Sequence, residues 1–399
     1  MKTEQVQLSQ LQILRNSFFF LAYTIWMLRT FIKTTFFYSA PLVQAWNDRA
    51  LDIVILICIA VIAVDFEVKY KEILLLCFIC LFYWIAYATG AGGILGTVLL
   101  VYAGRKVPYR KIVCYTFVLL SGLLIITVCS SLLGVIENHV FVQYGGRVRY
   151  GVGFLYCSYA SHYLLLFFML YFVVRKRVRL YEVMLLIALN IGGYFVTDTK
   201  TDILSLVMML LGTAFLRLLR SKKRVLQILS YILFLVPFAF WGLSLYMAKA
   251  FDWMVPFWLK LNFALNGRLD LGSKALQEYP IRLFGQKIRW VGGSAMVKDP
   301  TLTYNYVDNN YLSVTLQMGV LFAFFMCLAY GRAVYVAIQK EQFALAAGIF
   351  VFMVIGLINP EMRNLLYNTF LLVLLKPADQ FEGIEIWKPR KEWKMKENG

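Results

Sequence analysis

The sequence predicts an all-α, polytopic membrane protein of about twelve transmembrane helices, with one large loop on the external side. Three observations predict it. Of 399 residues, 61% are hydrophobic and 16% charged, and the mean hydropathy is +0.68, which is more apolar surface than a soluble domain buries. Apolar runs such as 112–134, 153–174 and 225–247 each match the roughly 20 residues needed to cross about 30 Å of hydrocarbon. Basic residues gather in short links between such runs, as they do in cytoplasmic loops.

Taken in order, the runs place spans near 14–32, 46–64, 72–88, 92–104, 112–134, 153–174, 181–196, 201–219, 225–247, 310–331, 343–358 and 361–376. The first follows a polar start, "MKTEQVQLSQLQILRNS", with no cleavable signal pattern. Glycine-rich "ATGAGG" joins the third and fourth spans and "NPEMRN" the last two, so both pairs read as tight hairpins. The links "RKVPYRK" (105–111), "RKRVR" (175–179) and "RLLRSKKR" (217–224), with the tail 377–399, fall on the cytoplasmic side. Both termini then come out cytoplasmic, and 33–45, 135–152, 197–200, 248–309 and 359–363 come out external. The whole chain, 1–399, reads as one membrane domain.

The loop 248–309 is the only sizeable polar piece and is basic: Lys249, Lys260, Arg268, Lys274, Arg282, Lys287, Arg289 and Lys298 stand against five acids. Within it, "NGRLDLGSKALQEYP" reads as a short amphipathic helix. Asn266 caps it, Leu269, Leu276 and Tyr279 share one face, and Pro280 ends it. Such a helix lies on the membrane or across the mouth of the bundle.

Several functions are excluded. The net charge of +18 has a complete topogenic explanation in the short basic links, which leaves no case for nucleic acid as a partner. All seven cysteines fall in apolar runs, and the Cys77–Cys80 pair sits in "LLLCFICLFYW", where small apolar residues pack. There is no P-loop, no HExxH and no DxD-like pattern in the long loop, nor a line of carboxylates inside the spans of the ion-transporter kind. Neither a metal nor a cofactor is expected.

What remains are polar groups at span ends. Arg147 and Arg149, in "GGRVRYGVGF", lie in a short external segment where basic residues oppose topology; their guanidinium forks suit phosphate oxygens or lipid headgroups. Asp198, Lys200 and Asp202 tip the hairpin "YFVTDTKTDILSLV". There Thr201 or Asp202 caps the next helix, or Lys200 offers a charge to an anionic group. Arg268, Arg282 and Arg289, with Lys287, make the long loop an anion-attracting face. Asp308, Asn309, Asn310 and Tyr311 stand where that loop re-enters the apolar run, either as a helix cap or as substrate contacts. Glu361 and Arg363 sit close to membrane depth, where charge is costly, and either pair with each other or act on a substrate. His162, on an apolar helix, reads as a core or hydrogen-bonded histidine rather than a catalyst; a functional role is the lesser alternative, since a helix continuing upward would place it about three turns below Arg149.

The string "NGRLDLGSKALQEYPIRLFGQKIRWVGG", followed by "VDNNYLSVTLQMGVL", resembles the Wzy-type polysaccharide repeat-unit polymerases, especially the capsule and exopolysaccharide branch of Gram-positive bacteria. Upstream, "GGRVRYGVGF" resembles that branch's arginine-rich lead into a span, and "YFVTDTKTDILSLV" its hairpin tip. The likeness runs over about 145–330. Two departures stand out: Lys200 replaces the usual arginine, and "LYCSYASHY" offers Ser158, Ser161 and His162 where an asparagine is common.

The resemblance implies an all-helical, GT-C-like membrane glycosyltransferase of the O-antigen polymerase/ligase type. It would polymerise undecaprenyl-pyrophosphate-linked oligosaccharides on the outer face of a bacterial cytoplasmic membrane, without metal, and would work beside a flippase and a chain-length regulator. Arg147, Arg149 and Arg268 would hold the donor pyrophosphate, with Lys200, Arg282 and Arg289 assisting. Asp308 or Glu361 would orient or deprotonate the acceptor hydroxyl, with Asn309, Asn310, Tyr311 and Arg363 beside them. An O-antigen-ligase-like transferase and a lipid-linked oligosaccharide flippase or transporter are the alternative readings.

Overall fold

Thirteen α-helices and one β-hairpin form the described part of the computed structural model, which covers residues 2–66, 68–143, 147–175, 179–292, 304–381 and 384, without the side chains of 2–9, 143 and 147. In chain order they are α1 (Lys2–Ile32), α2 (Pro41–Asp65), α3 (Tyr70–Ala88), α4 (Gly92–Ala103), α5 (Tyr109–Leu132), β1 (Val140–Gln143), β2 (Arg147–Tyr150), α6 (Tyr159–Val174), α7 (Leu180–Thr197), α8 (Lys200–Leu218), α9 (Lys223–Ala250), α10 (Pro256–Ala264), α11 (Arg268–Glu278), α12 (Asn310–Gln339) and α13 (Phe343–Ile355). Six of them, α3, α5, α7, α8, α9 and α12, are long and apolar enough to cross a membrane. Apart from the hairpin, this is a helical, membrane-embedded architecture. Lys298 and most of the tail 377–399 lie outside the described residues.

Sequence decides which helices are central. α13, "FALAAGIFVFMVI", is apolar on every side, and a helix with no polar face must be surrounded. It is buried almost throughout, against α8, α12 and α6. Peripheral α7, α8 and α9 instead leave Leu185, Phe195, Leu211 and Leu235 more than half exposed. An apolar belt of that extent is stable facing lipid, not water.

The helices run to and fro between two ends. At the lower end Arg105 pairs with Glu72 (2.8 Å) and Asp65 (3.4 Å), and Arg15 reaches Asp65 (3.2 Å). Lys376, fully buried, donates to the carbonyls of Gly104 (2.6 Å) and Val107 (2.5 Å) just past α4. The upper end carries the hairpin and α10–α11.

Three sequence expectations are corrected. The twelfth span, expected as a helix over 361–376, is instead two 3-10 turns, Pro360–Arg363 and Thr369–Val373. Asparagines explain it: Asn364 Oδ1 accepts from Leu366 N–H, and Asn368 donates to the Met362 carbonyl, local bonds that compete with a helical ladder. Irregular backbone at membrane depth is tolerated only inside protein, and Leu366, Phe370 and Leu372 are buried. Second, Asn266 does not cap α11. It takes a left-handed turn, and Asn262 Oδ1 accepts from the N–H groups of Leu269 and Asp270. The apolar face of α11 packs on α9 and the start of α12, across the mouth of the bundle. Third, α12 extends well past 331 and is broken at Gly319, whose φ is +91°.

That break is filled by the long loop. Gln286 N–H donates to Gln317 O (2.9 Å), while Val320 and Leu321 N–H donate to Arg282 O (3.1 Å) and Leu283 O (3.2 Å). The strands of chain approach so closely that a Cβ on Gly319 would lie 2.3 Å from Leu283 O, and one on Gly285 2.1 Å from Gln317 O. Both glycines also have positive φ. Gly319→Ala and Gly285→Ala are each expected to destabilise the protein by about 2–3 kcal/mol or more, read as a lower melting temperature in detergent. Unchanged melting in both would mean that the loop is not docked there.

Candidate functional site

The hairpin follows from alternation in "VFVQ" and "RVRY", and pairs Phe141 with Arg149 and Gln143 with Arg147. Arg149 therefore sits on a strand, not on a helix above His162 as expected; α6 starts only at Tyr159. Its guanidinium crosses to the α7–α8 turn, donating from Nε to Thr197 O (2.5 Å) and from Nη2 to Thr199 Oγ1 (3.1 Å). Asp198, left-handed at φ +49°, ends α7 there, so the cation meets the negative end of a helix dipole. Arg147 lies on β2, but its side chain lies outside the described residues.

A second cation stands nearby. Asn262 fixes the first turn of α11, and Arg268 at its start donates from Nε to Asp308 Oδ2 (3.1 Å). Each side chain is about a quarter exposed. Burial pushes the Asp308 carboxyl above its ordinary value, and the Arg268 charge and hydrogen bond pull it back. Four tyrosines close the space. Tyr156 lies within electrostatic reach of Arg149, Arg268 and Asp308, Tyr304 of Arg268 and Asp308, Tyr306 of Asp308 and Glu361, and Tyr159 of Tyr306 and Glu361.

The third group lies deeper. Glu361 and Arg363 do not pair with each other. Arg363 Nη1 donates to Ser313 Oγ (2.8 Å) and also reaches the Tyr306 hydroxyl. Glu361, 5% exposed, meets His162 Nε2 at 2.6 Å, and His162 Nδ1 meets Asp202 at 2.9 Å. His162 is a buried, hydrogen-bonded histidine as the sequence reading allowed, but that reading did not name its partners. Their signal was present: a histidine in an apolar helix needs polar partners, and only span-end carboxylates were within reach.

Other candidates stand apart. Arg282 and Arg289 are exposed along the docked loop, and Lys200 is exposed at the start of α8. Asn309 is the cap of α12, accepting from Leu312 N–H (3.0 Å) and donating to Ser244 Oγ and Leu357 O. Asn310 is buried against Met326, and the Tyr311 hydroxyl donates to Met353 O. These three hold α12 to its neighbours. Asp308, freed from capping, faces Arg268.

No family model, curated protein or solved structure matches the chain. What the geometry offers chemically is a polar cluster with guanidiniums for an anion, carboxylates for a hydroxyl and tyrosine rings for an apolar or sugar face.

The Arg268–Asp308 pair fixes a pH response. Because folding raises the Asp308 carboxyl above its unfolded value, its ionisation costs stability, and that cost grows as pH rises through the folded value. Arg268→Gln enlarges the cost. It is expected to lose about 1–3 kcal/mol near pH 7.5 and to recover part of that toward pH 5. Melting curves at both pH values check this, and adding Asp308→Asn is expected to remove the pH dependence.

Proposed function

We propose that this protein is a membrane glycosyltransferase that polymerises lipid-pyrophosphate-linked oligosaccharide repeat units into a capsular or exopolysaccharide. In this reading the fold is GT-C-like, with twelve passes: the eleven helices other than α10 and α11, and the broken segment 360–376. The upper end faces outward and both termini lie in the cytoplasm of a bacterium. The lower end carries Arg15, Arg105, Lys106, Arg220 and Lys376, which agrees with the positive-inside rule.

One observation carries the reading. Residues more than two hundred positions apart, Arg149, Arg268, Asp308, Glu361 and Arg363, converge on one tyrosine-walled space at the end of an apolar bundle. A pyrophosphate leaving group carries negative charge that grows as its bond to the sugar breaks, and fixed guanidiniums stabilise it. Arg149 and Arg268 bind the donor pyrophosphate, with Arg147 beside them on β2. Arg363 sits nearest Glu361. Asp308 or Glu361 orients or deprotonates the acceptor hydroxyl, and Tyr156, Tyr304 and Tyr306 stack on sugar rings. Arg282, Arg289 and Lys200 serve as an outer basic rim that attracts anionic substrate.

Arg149→Ala and Arg268→Ala are each expected to abolish long polymer while the amount of membrane protein holds, as read on a glycan gel with an immunoblot. Normal polymer in both overturns the reading. A ligase instead yields unattached long chains on deletion of the protein, whereas a polymerase yields single repeat units.

A further inference from the structure

Asp202, His162 and Glu361 form a straight line of titratable groups from three separate segments, α8, α6 and the 3-10 turn 360–363. All three are nearly inaccessible, at 2%, 5% and 5% exposure. Both ring nitrogens of His162 face carboxylate oxygens: Nδ1 lies 2.9 Å from Asp202 and Nε2 2.6 Å from Glu361 Oε1. A neutral imidazole has one N–H. Two such contacts therefore need a second proton, carried either by the ring or by a carboxyl group. Asn359 adds a donor to the same Glu361 oxygen, Nδ2 to Oε1 at 2.9 Å, and accepts from the Glu361 N–H. With two donors converging on Oε1, that oxygen is an acceptor and His162 Nε2 carries an N–H, which leaves the second proton to Nδ1 or to Asp202.

The remaining ionisable neighbours do not supply a competing charge. Tyr159 and Tyr163 on α6 and Tyr367 lie close to Glu361, and Tyr367 sets its ring edge to His162 at 5.8 Å. The nearest cation in sequence, Arg363, is engaged by Ser313 and Tyr306. A buried carboxylate without a cation is strongly disfavoured. With the proton on Nδ1, His162 is a cation between two carboxyl groups and balances a Glu361 carboxylate.

We propose that Glu361, rather than Asp308, takes the proton of the acceptor hydroxyl, and that an imidazolium at His162, clamped by Asp202, holds Glu361 ready as a carboxylate. The assignment of the reaction rests on the polymerase reading; the charge state does not. In the step, the acceptor oxygen bonds to the anomeric carbon, and the carbon–oxygen bond to pyrophosphate breaks with its electron pair on phosphate. The hydroxyl proton moves to Glu361 Oε2 and leaves to solvent after the product departs. Asp308 stays bound to Arg268 and orients that guanidinium. His162 and Asp202 are positioning residues, since they act through Glu361.

The chain has only two histidines, His139 and His162, so His139→Gln leaves a single reporter. In full-length protein labelled with 15N-histidine, both ring nitrogens of His162 are expected to show imidazolium resonances from pH 6 to 8, and Glu361→Gln is expected to shift one of them toward the neutral form. A neutral single tautomer across this range, or spectra unaffected by Glu361→Gln, overturns the charge assignment. With purified lipid-linked repeat units, Glu361→Gln is expected to lower kcat by about 100-fold or more. Asp202→Asn and His162→Gln are expected to lower kcat with KM within about twofold, and Glu361→Asp to retain part of the rate. If His162→Gln does not fold, the Glu361 variants and the spectrum still decide. Imidazolium resonances with an undiminished Glu361→Gln rate overturn the base assignment and leave the polymerase standing. No polymerisation by the wild-type protein overturns the polymerase reading, and the spectra then judge the charge state alone.

Discussion

Inside hydrocarbon a backbone amide has no water to bond, so each interruption of a helix must be answered by protein. The break at Gly319 is one such interruption, and residues 282–286 answer it with three backbone hydrogen bonds. Much else follows from that single contact. It anchors the long loop at the bundle mouth and sets α11 across α9 and α12. It thereby brings Arg268, at the start of α11, to Asp308, at the start of α12. A loop tethered only at its ends would leave that pairing to chance. Here two glycines, 34 positions apart, fix it.

The second determinant is the use of helix ends. Asp202, Asp308 and Glu361 each stand at or beside the start of a helix or turn, and Arg149 reaches from β2 to the end of α7. Backbone groups are unsatisfied there and polar side chains are tolerated at the margin of an apolar bundle. Their convergence builds the polar cluster without placing an unpaired charge among the apolar side chains of α12 and α13. The same arrangement explains why the site draws on residues from Arg149 to Arg363, since neighbouring ends in space alternate along the chain.

Much of this was legible in the sequence. Apolar runs located eleven helices, nine of them to within about six residues at each end, because a span must be long and apolar; α1 starts twelve residues earlier than its apolar run and α12 ends eight residues later. Span-end charges gave the candidates Arg149, Arg268, Asp308 and Glu361. What could not be read was partnership. Nothing in "VRYGVGF" says that the chain turns into a hairpin aiming Arg149 at the α7–α8 turn, and Asn309 rather than Asp308 became the cap through its contacts to Ser244 and Leu357. The segment 361–376 was apolar enough for a helix, but Asn364 and Asn368 offered the backbone other bonds. His162 looked like a core residue because its two acids lie forty and nearly two hundred positions away.

Lys376 adds a constraint of a different kind. Its ammonium sits among carbonyls some 270 positions earlier in the chain, so the slot beside α4 is closed by a residue made long after α4 itself. Until then the carbonyls of Gly104 and Val107 face an empty groove. The early helices must therefore wait, inserted but open on one side, for the final segment to arrive. Maturation of this bundle waits for residue 376, and a chain cut short before it would leave the bundle inserted yet unsealed.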